Sequence, residues 1–167
     1  MFRWLPAVLV GCLLLPTAGK VYAYDDYSEI HSYISGGLHH WSSDDSSAEG
    51  LKLRFGQQLT PFIGAEVHFA LGGEDSKTEA SLDRLFGIYA KFVLPLDAFN
   101  PYAKLGMTSA SIKTADETAS DFEMSYGVGA ELNITSRFYI DLEYMSYLDT
   151  AKLELSGFTL GLGYKLP

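Results

Sequence analysis

The segment "GAELNITSRFYIDLEYMSY", residues 129–147, decides the fold. From Phe138, every second side chain forms one face: Phe138, Ile140, Leu142 and Tyr144. Tyr139, Asp141, Glu143 and Met145 form the other. Alternation at period two is a β-strand with one apolar and one polar side. A second alternating run precedes it across the short "ITSR", which makes the pair an antiparallel hairpin. A soluble barrel would enclose the apolar face, as a lipocalin does, whereas a membrane barrel would turn it outward.

The same pattern recurs along the chain. Eight strands are expected, at 29–41, 49–58, 62–72, 81–95, 101–113, 121–133, 138–149 and 153–166. Most run to about 10–13 residues, against about 5–6 in ordinary globular sheets. A strand tilted near 45° crosses a bilayer in about 9–11 residues. The connections alternate in kind. "LTP" at Leu59, "LDAFN" at Leu96 and "ITSR" at Ile134 are tight turns, while "SSDDSSAE", "GEDSKTEA" and "TADETASD" are acidic and read as longer loops. Short turns at one end and polar loops at the other is the arrangement of outer-membrane barrels.

The glycines choose between the two barrels. In 121–133 Gly127 and Gly129 alternate with Tyr126, Val128 and Ala130, and in 153–166 Gly157, Gly161 and Gly163 alternate with Phe158, Leu160 and Leu162. Glycine therefore falls on the polar face, beside the charges. On an open surface it packs nothing, but inside an eight-stranded barrel small residues make room for large ones. The apolar face therefore points out. The inner face should then carry a lumen charge network of Lys52, Arg54, Lys91, Lys104 and Lys165 with Glu66, Glu123, Glu131, Asp141 and Glu143. Such buried charges survive when paired. On the lipid face, Phe92, Phe138 and Tyr164 should mark the periplasmic rim and Phe69, Phe86, Tyr126 and Phe158 the outer one, as two aromatic girdles. The first strand, "EIHSYISGGLHHW", mixes polar and apolar residues on both sides, so its register stays open.

The N-terminus reads as a signal peptide over residues 1–23, with Arg3 before the apolar "WLPAVLVGCLLL" and small residues Val21 and Ala23 before the cut. The barrel domain is then 24–167. "LVGC" superficially resembles a lipoprotein box, but cleavage there would follow a very short apolar run. The sole cysteine, Cys12, lies in the leader. Losing Arg3 and Lys20 with no acid moves the formal charge from −9 to −11. So acidic a surface argues against binding nucleic acid or anionic lipid through overall electrostatics. No later stretch could span a membrane as a helix, so any span must be a closed barrel.

With this pattern in place, "YGVGAELNITSRFYIDLEYMSYL", "PFIGAEVHF" and "NPYAKLGM" resemble strands of the opacity-type porins and of the transmembrane domain of outer-membrane protein A. The resemblance implies an all-β, eight-stranded antiparallel up-and-down transmembrane β-barrel in the outer membrane of a Gram-negative bacterium, with both termini periplasmic. It also implies partners: outer-membrane lipid and lipopolysaccharide, the outer-membrane assembly machinery, and an extracellular ligand met by the acidic loops. Members usually end on an aromatic residue, whereas this chain ends "GYKLP" with Pro167. No peptidoglycan-binding segment follows, so a cell-wall anchor is not implied.

Chemistry is sparse. His39 and His40 are strand neighbours that point to opposite faces and cannot share a metal unless the strand has already ended; a loose loop metal site with Asp44 and Asp45 is the weaker reading and a polar strand end the stronger. His31 with Ser32, or His68 with Glu66, could be cast as parts of a lipid A-modifying site, but no motif joins serine, histidine and carboxylate at a rim. No cofactor or metal is expected, nor any catalytic residue. The leading expectation is a non-enzymatic surface or structural protein. A small low-conductance channel is the alternative, because eight strands leave no wide pore.

Overall fold

The computed structural model describes residues 31–43, 46–73, 81–113, 118–149 and 154–166. The expected signal peptide, with Cys12, and Asp44, Asp45 and Pro167 lie outside the described residues. Eight strands follow one another: β1 (His31–Ser43), β2 (Ser46–Gln58), β3 (Ile63–Gly72), β4 (Ser81–Val93), β5 (Phe99–Lys113), β6 (Thr118–Asn133), β7 (Phe138–Asp149) and β8 (Glu154–Lys165). Each pairs antiparallel with the next, and β8 pairs with β1, so the sheet closes on itself as an up-and-down barrel. Closure leaves no strand edge unpaired, the condition for backbone to cross hydrocarbon. The expected architecture is the observed one.

The register that was open for β1 is fixed on both sides. Tyr33 faces Gly56 of β2 and Lys165 of β8, and Trp41 faces Ala48 and Gly157. Tyr33, Ser35, His39, Trp41 and Ser43 point inward, while Ile34, Leu38 and His40 point outward. Among the described residues the alternating apolar face is turned outward along the middle of the strands. Leu162 is 59 % and Leu38 62 % exposed, whereas Lys52 is 1 % exposed and Asp141 is fully buried. Of the expected girdle, Phe69, Phe86, Phe92, Tyr126, Phe138 and Phe158 are exposed. Tyr164 is half-buried, its ring 4.9 Å from that of Phe138.

Two of the tight turns are built alike. At 59–62 the Thr60 hydroxyl accepts from the Phe62 and Ile63 amides at 3.3 and 3.0 Å. At 134–137 the Thr135 hydroxyl accepts from Arg137 and Phe138 at 3.2 and 2.9 Å. A threonine at that position satisfies two amides that the ladder leaves over. In the third turn Asp97 adopts a φ of 63°, which a short polar side chain tolerates, and the Asn100 side-chain Oδ1 accepts from the Leu96 amide at 3.0 Å.

The other rim departs from expectation. The expected loops "SSDDSSAE" and "TADETASD" are partly strand: β1 runs to Ser43, β2 starts at Ser46 and β6 starts at Thr118, while β5 ends at Lys113 as expected. Ser43 pairs with Ser46 and Lys113 with Thr118, so the ladders continue almost to the hairpin tips. Serine and threonine are as able to pair in a strand as in a loop once outside the bilayer, so composition did not separate the two. Most of "GEDSKTEA" lies outside the described residues.

Candidate functional site: the barrel interior and its rims

The lumen is filled in two layers. The lower layer, nearer the tight turns, is ionic. It draws Lys52 and Arg54 from β2, Glu66 and His68 from β3, Lys91 from β4, Lys104 from β5, Glu131 from β6, and Asp141 and Glu143 from β7. Glu143 stands at the centre. Its two oxygens meet Lys52, Lys104 and Arg54, the last at 3.2 Å. Arg54 Nη2 lies 2.8 Å from Asp141 Oδ1, a charge contact off the axis of a good hydrogen bond. Glu66 binds Lys104, Lys91 at 3.1 Å and His68 Nε2 at 2.7 Å. Lys91 also meets Glu131.

Tyrosines complete this layer. Tyr33 donates to Glu66 at 2.6 Å and Tyr102 to Asp141 at 2.9 Å. Lys52 donates to the Tyr147 hydroxyl at 2.7 Å. The Lys91 ammonium lies 4.7 Å from the ring centres of both Tyr33 and Tyr102, within cation–π reach. Every buried cation thus has an anion and an aromatic or hydroxyl neighbour, the arrangement in which charges tolerate a low-dielectric interior. The rings fit because glycines lie beneath them. A Cβ on Gly56 would run into the Tyr33 ring, and one on Gly163 into the Tyr139 ring.

Two expected members stand apart. Lys165 donates to Asn133 at 3.0 Å and reaches no carboxylate among the described residues. Glu123 is half-buried and makes no ion pair among the described residues. Lys165 is the last residue of β8, and Glu123 lies in the hairpin half of β6, opposite Thr108 of β5. The ionic cluster is therefore four cations against Glu66, Glu131, Asp141 and Glu143.

The upper layer was not expected. Trp41, Ala70, Leu82, Leu85, Tyr89, Ala110, Met145, Tyr147 and Leu155 form an apolar cluster inside the barrel. A β-bulge between Leu82 and Arg84 lets Leu82 and Leu85 both face inward although three residues apart. His39 and Thr159, 3.0 Å apart, lie between the layers, with the His39 ring 5.6 Å from Tyr147.

Residues 10–165 match the family model of the outer membrane protein beta-barrel domain. The chain belongs to that family. No curated protein sequence matches it. Among solved structures it is similar to the attachment invasion locus protein Ail of Yersinia pestis, crystallised with the heparin analogue sucrose octasulfate. The identity is 22 %, the TM-score 0.65, and the match covers 83 % of this chain and all of Ail. The N-terminal β-barrel domain of OprF from Pseudomonas aeruginosa follows, at 15 % identity and TM-score 0.60, over 81 % of this chain and 97 % of that one. Neisserial surface protein A matches at 17 % and 0.54, over 81 % and 96 %. At such identities these neighbours establish the shared barrel, and the family places the chain in the Gram-negative outer membrane.

For a member of this family, the interior offers little chemistry. Glu66, His68 and Glu143 bring oxygen and nitrogen donors within 4.8 Å of one another, the spacing of a metal site. The Lys104 ammonium already sits among them, bound to both glutamates and 3.5 Å from His68 Nε2. A cation therefore already occupies the place a metal would take. His39 points inward and His40 outward, so they share no site. Among the described residues the Glu66–His68 pair has no serine hydrogen-bond partner, and both side chains are buried.

Proposed function

We propose that the protein is a non-enzymatic surface protein of the outer membrane, a barrel closed by its own side chains that holds acidic hairpins outside the cell. The observation that carries this reading is the double filling of the lumen, with ion pairs around Glu143 below and an apolar cluster around Trp41 above. A conducting path would have to part both layers, and eight strands supply no spare width. The reading predicts no stable large openings in planar-bilayer recordings. Such openings would favour the small channel instead. An enzyme acting on lipid A would change lipid A mass on overexpression, and no change is expected.

The tight-turn rim, which holds both ends of the described chain, faces the periplasm in this reading, as in other outer-membrane barrels. The hairpin rim then faces outward. Segments 44–49, 74–84, 113–123 and 149–154 carry 13 carboxylates against 4 lysines and arginines. That field repels polyanions. The heparin analogue on Ail is therefore a poor guide to this chain, whose complement is a cationic protein or peptide surface. Proteolysis of intact cells tests the orientation: cleavage within 74–80 or 114–117 is expected without lysis. Cleavage that requires lysis would reverse the assignment.

A further inference from the structure

The outer wall is not uniformly covered. On the lipid face of β1, Gly36 stands opposite Leu53 of β2 and Leu162 of β8, where the neighbouring outward positions carry Ile34 and Leu38. The missing side chain opens a groove of about 330 Å³ between Ile34, Leu53, Phe138, Leu162 and Tyr164, with the backbone of Gly36 as its floor. It runs from Leu53 and Leu162 toward the tight-turn rim, where Phe138 and Tyr164 flank its mouth. There Arg137 donates to the Tyr164 hydroxyl at 3.3 Å. Its guanidinium is exposed and has no carboxylate partner among the described residues, in a chain whose formal charge is −9.

We propose that this groove is a binding site for an anionic phospholipid. One acyl chain lies over Gly36, and the headgroup phosphate is held by Arg137 and the Tyr164 hydroxyl. The groove is apolar along its length and cationic at one end, the complement of an acyl chain with an anionic headgroup. Guanidinium is also the side chain best shaped for two-point phosphate contact. The aromatic pair at the mouth sits where the interface between acyl chains and headgroups falls. Gly36 differs from the interior glycines. A Cβ there would press on the Leu53 methyl at 3.0 Å, which a side-chain rotation relieves, and touch the Lys52 carbonyl oxygen at an ordinary 3.7 Å, whereas one on Gly37 would strike the backbone of β8. Nothing in packing requires glycine at 36, so a larger residue can fill the groove without unfolding the barrel.

Assignment to the periplasmic leaflet rests on the proposed orientation, but lipid binding itself does not, so the test uses symmetric membranes. The barrel is reconstituted in vesicles of phosphatidylcholine with a minor share of phosphatidylglycerol, and the lipids that co-purify with it are quantified by native mass spectrometry. Retained phosphatidylglycerol should exceed its bulk share. Arg137→Ala should lower that preference about fivefold, the weight of one basic residue against an anionic headgroup. Gly36→Val should reduce retention of both lipids while leaving the compact form on unboiled gels unchanged. Wild-type retention in proportion to bulk composition, or retention unaffected by Arg137→Ala, overturns the proposal. Displacement of the bound phospholipid by lipid A at equal bulk share would overturn it as well.

Discussion

Replacing Glu143 with glutamine is the sharpest probe of the interior. The carboxylate accepts from Lys52 through one oxygen, and from Lys104, Arg54 and the Tyr102 hydroxyl through the other. Glutamine keeps the shape but offers one acceptor oxygen, and its amide would point donor at donor toward a buried cation. Three cations would then share Glu66 and Asp141, neither of which can move without breaking its own pairs. Removing one partner from a buried ion cluster costs about 3–5 kcal/mol. Glu123→Gln, at a half-buried position without an ion pair among the described residues, should cost under about 0.5 kcal/mol. Pairing Glu143→Gln with Lys104→Met removes one charge of each sign, so the double variant should recover at least about 1 kcal/mol relative to the sum of the singles. Equilibrium unfolding by urea in lipid vesicles measures all three. In a chain without residues 1–23, Trp41, buried in the lumen, is the only tryptophan and reports opening of the barrel. Equal losses for Glu143→Gln and Glu123→Gln would refute the claim that ionic closure holds the interior.

Gly163→Ala should destabilise by about 1–3 kcal/mol, because the added methyl meets the Tyr139 ring in a filled lumen; the same unfolding assay reads it. Leu160→Arg, on the 49 % exposed outer position of β8, should cost about 2–4 kcal/mol if it lies near the bilayer centre. That loss should vanish in short-chain detergent, where the arginine reaches water.

Much of this was legible in the sequence because lumen and lipid impose opposite chemistry on alternate residues. Strand β7 could be read directly: Phe138, Leu142 and Tyr144 against Asp141 and Glu143 leave one consistent pleat. Closure was legible too, since each strand is long enough to span and each tight turn dictates an antiparallel neighbour. Lys165 and Glu123 fall outside the ion-pair cluster because alternation gives the face of a charge but not its depth, and depth decides which partners it can reach. The apolar layer was hidden for a related reason. Leu82 reaches the lumen only because Asp83 bulges, and a bulge leaves no mark in a period-two count. Leu85 and Met145 did fall on the polar face in the sequence, yet nothing there joined them to Trp41, which belongs to a strand of unclear register. The hairpin tips were underestimated because serine-rich acidic stretches look the same paired or unpaired.

The central claim is that this chain wears its apolar side chains toward lipid and keeps its charges within. Its leucines test that most directly, because they occupy both environments. With methyl-labelled leucine in nanodiscs, nuclear Overhauser transfer from acyl-chain protons should reach Leu38, Leu53, Leu142, Leu160 and Leu162, and should miss Leu82, Leu85 and Leu155. Transfer to the second group and not to the first would mean that the barrel is inside out relative to this account.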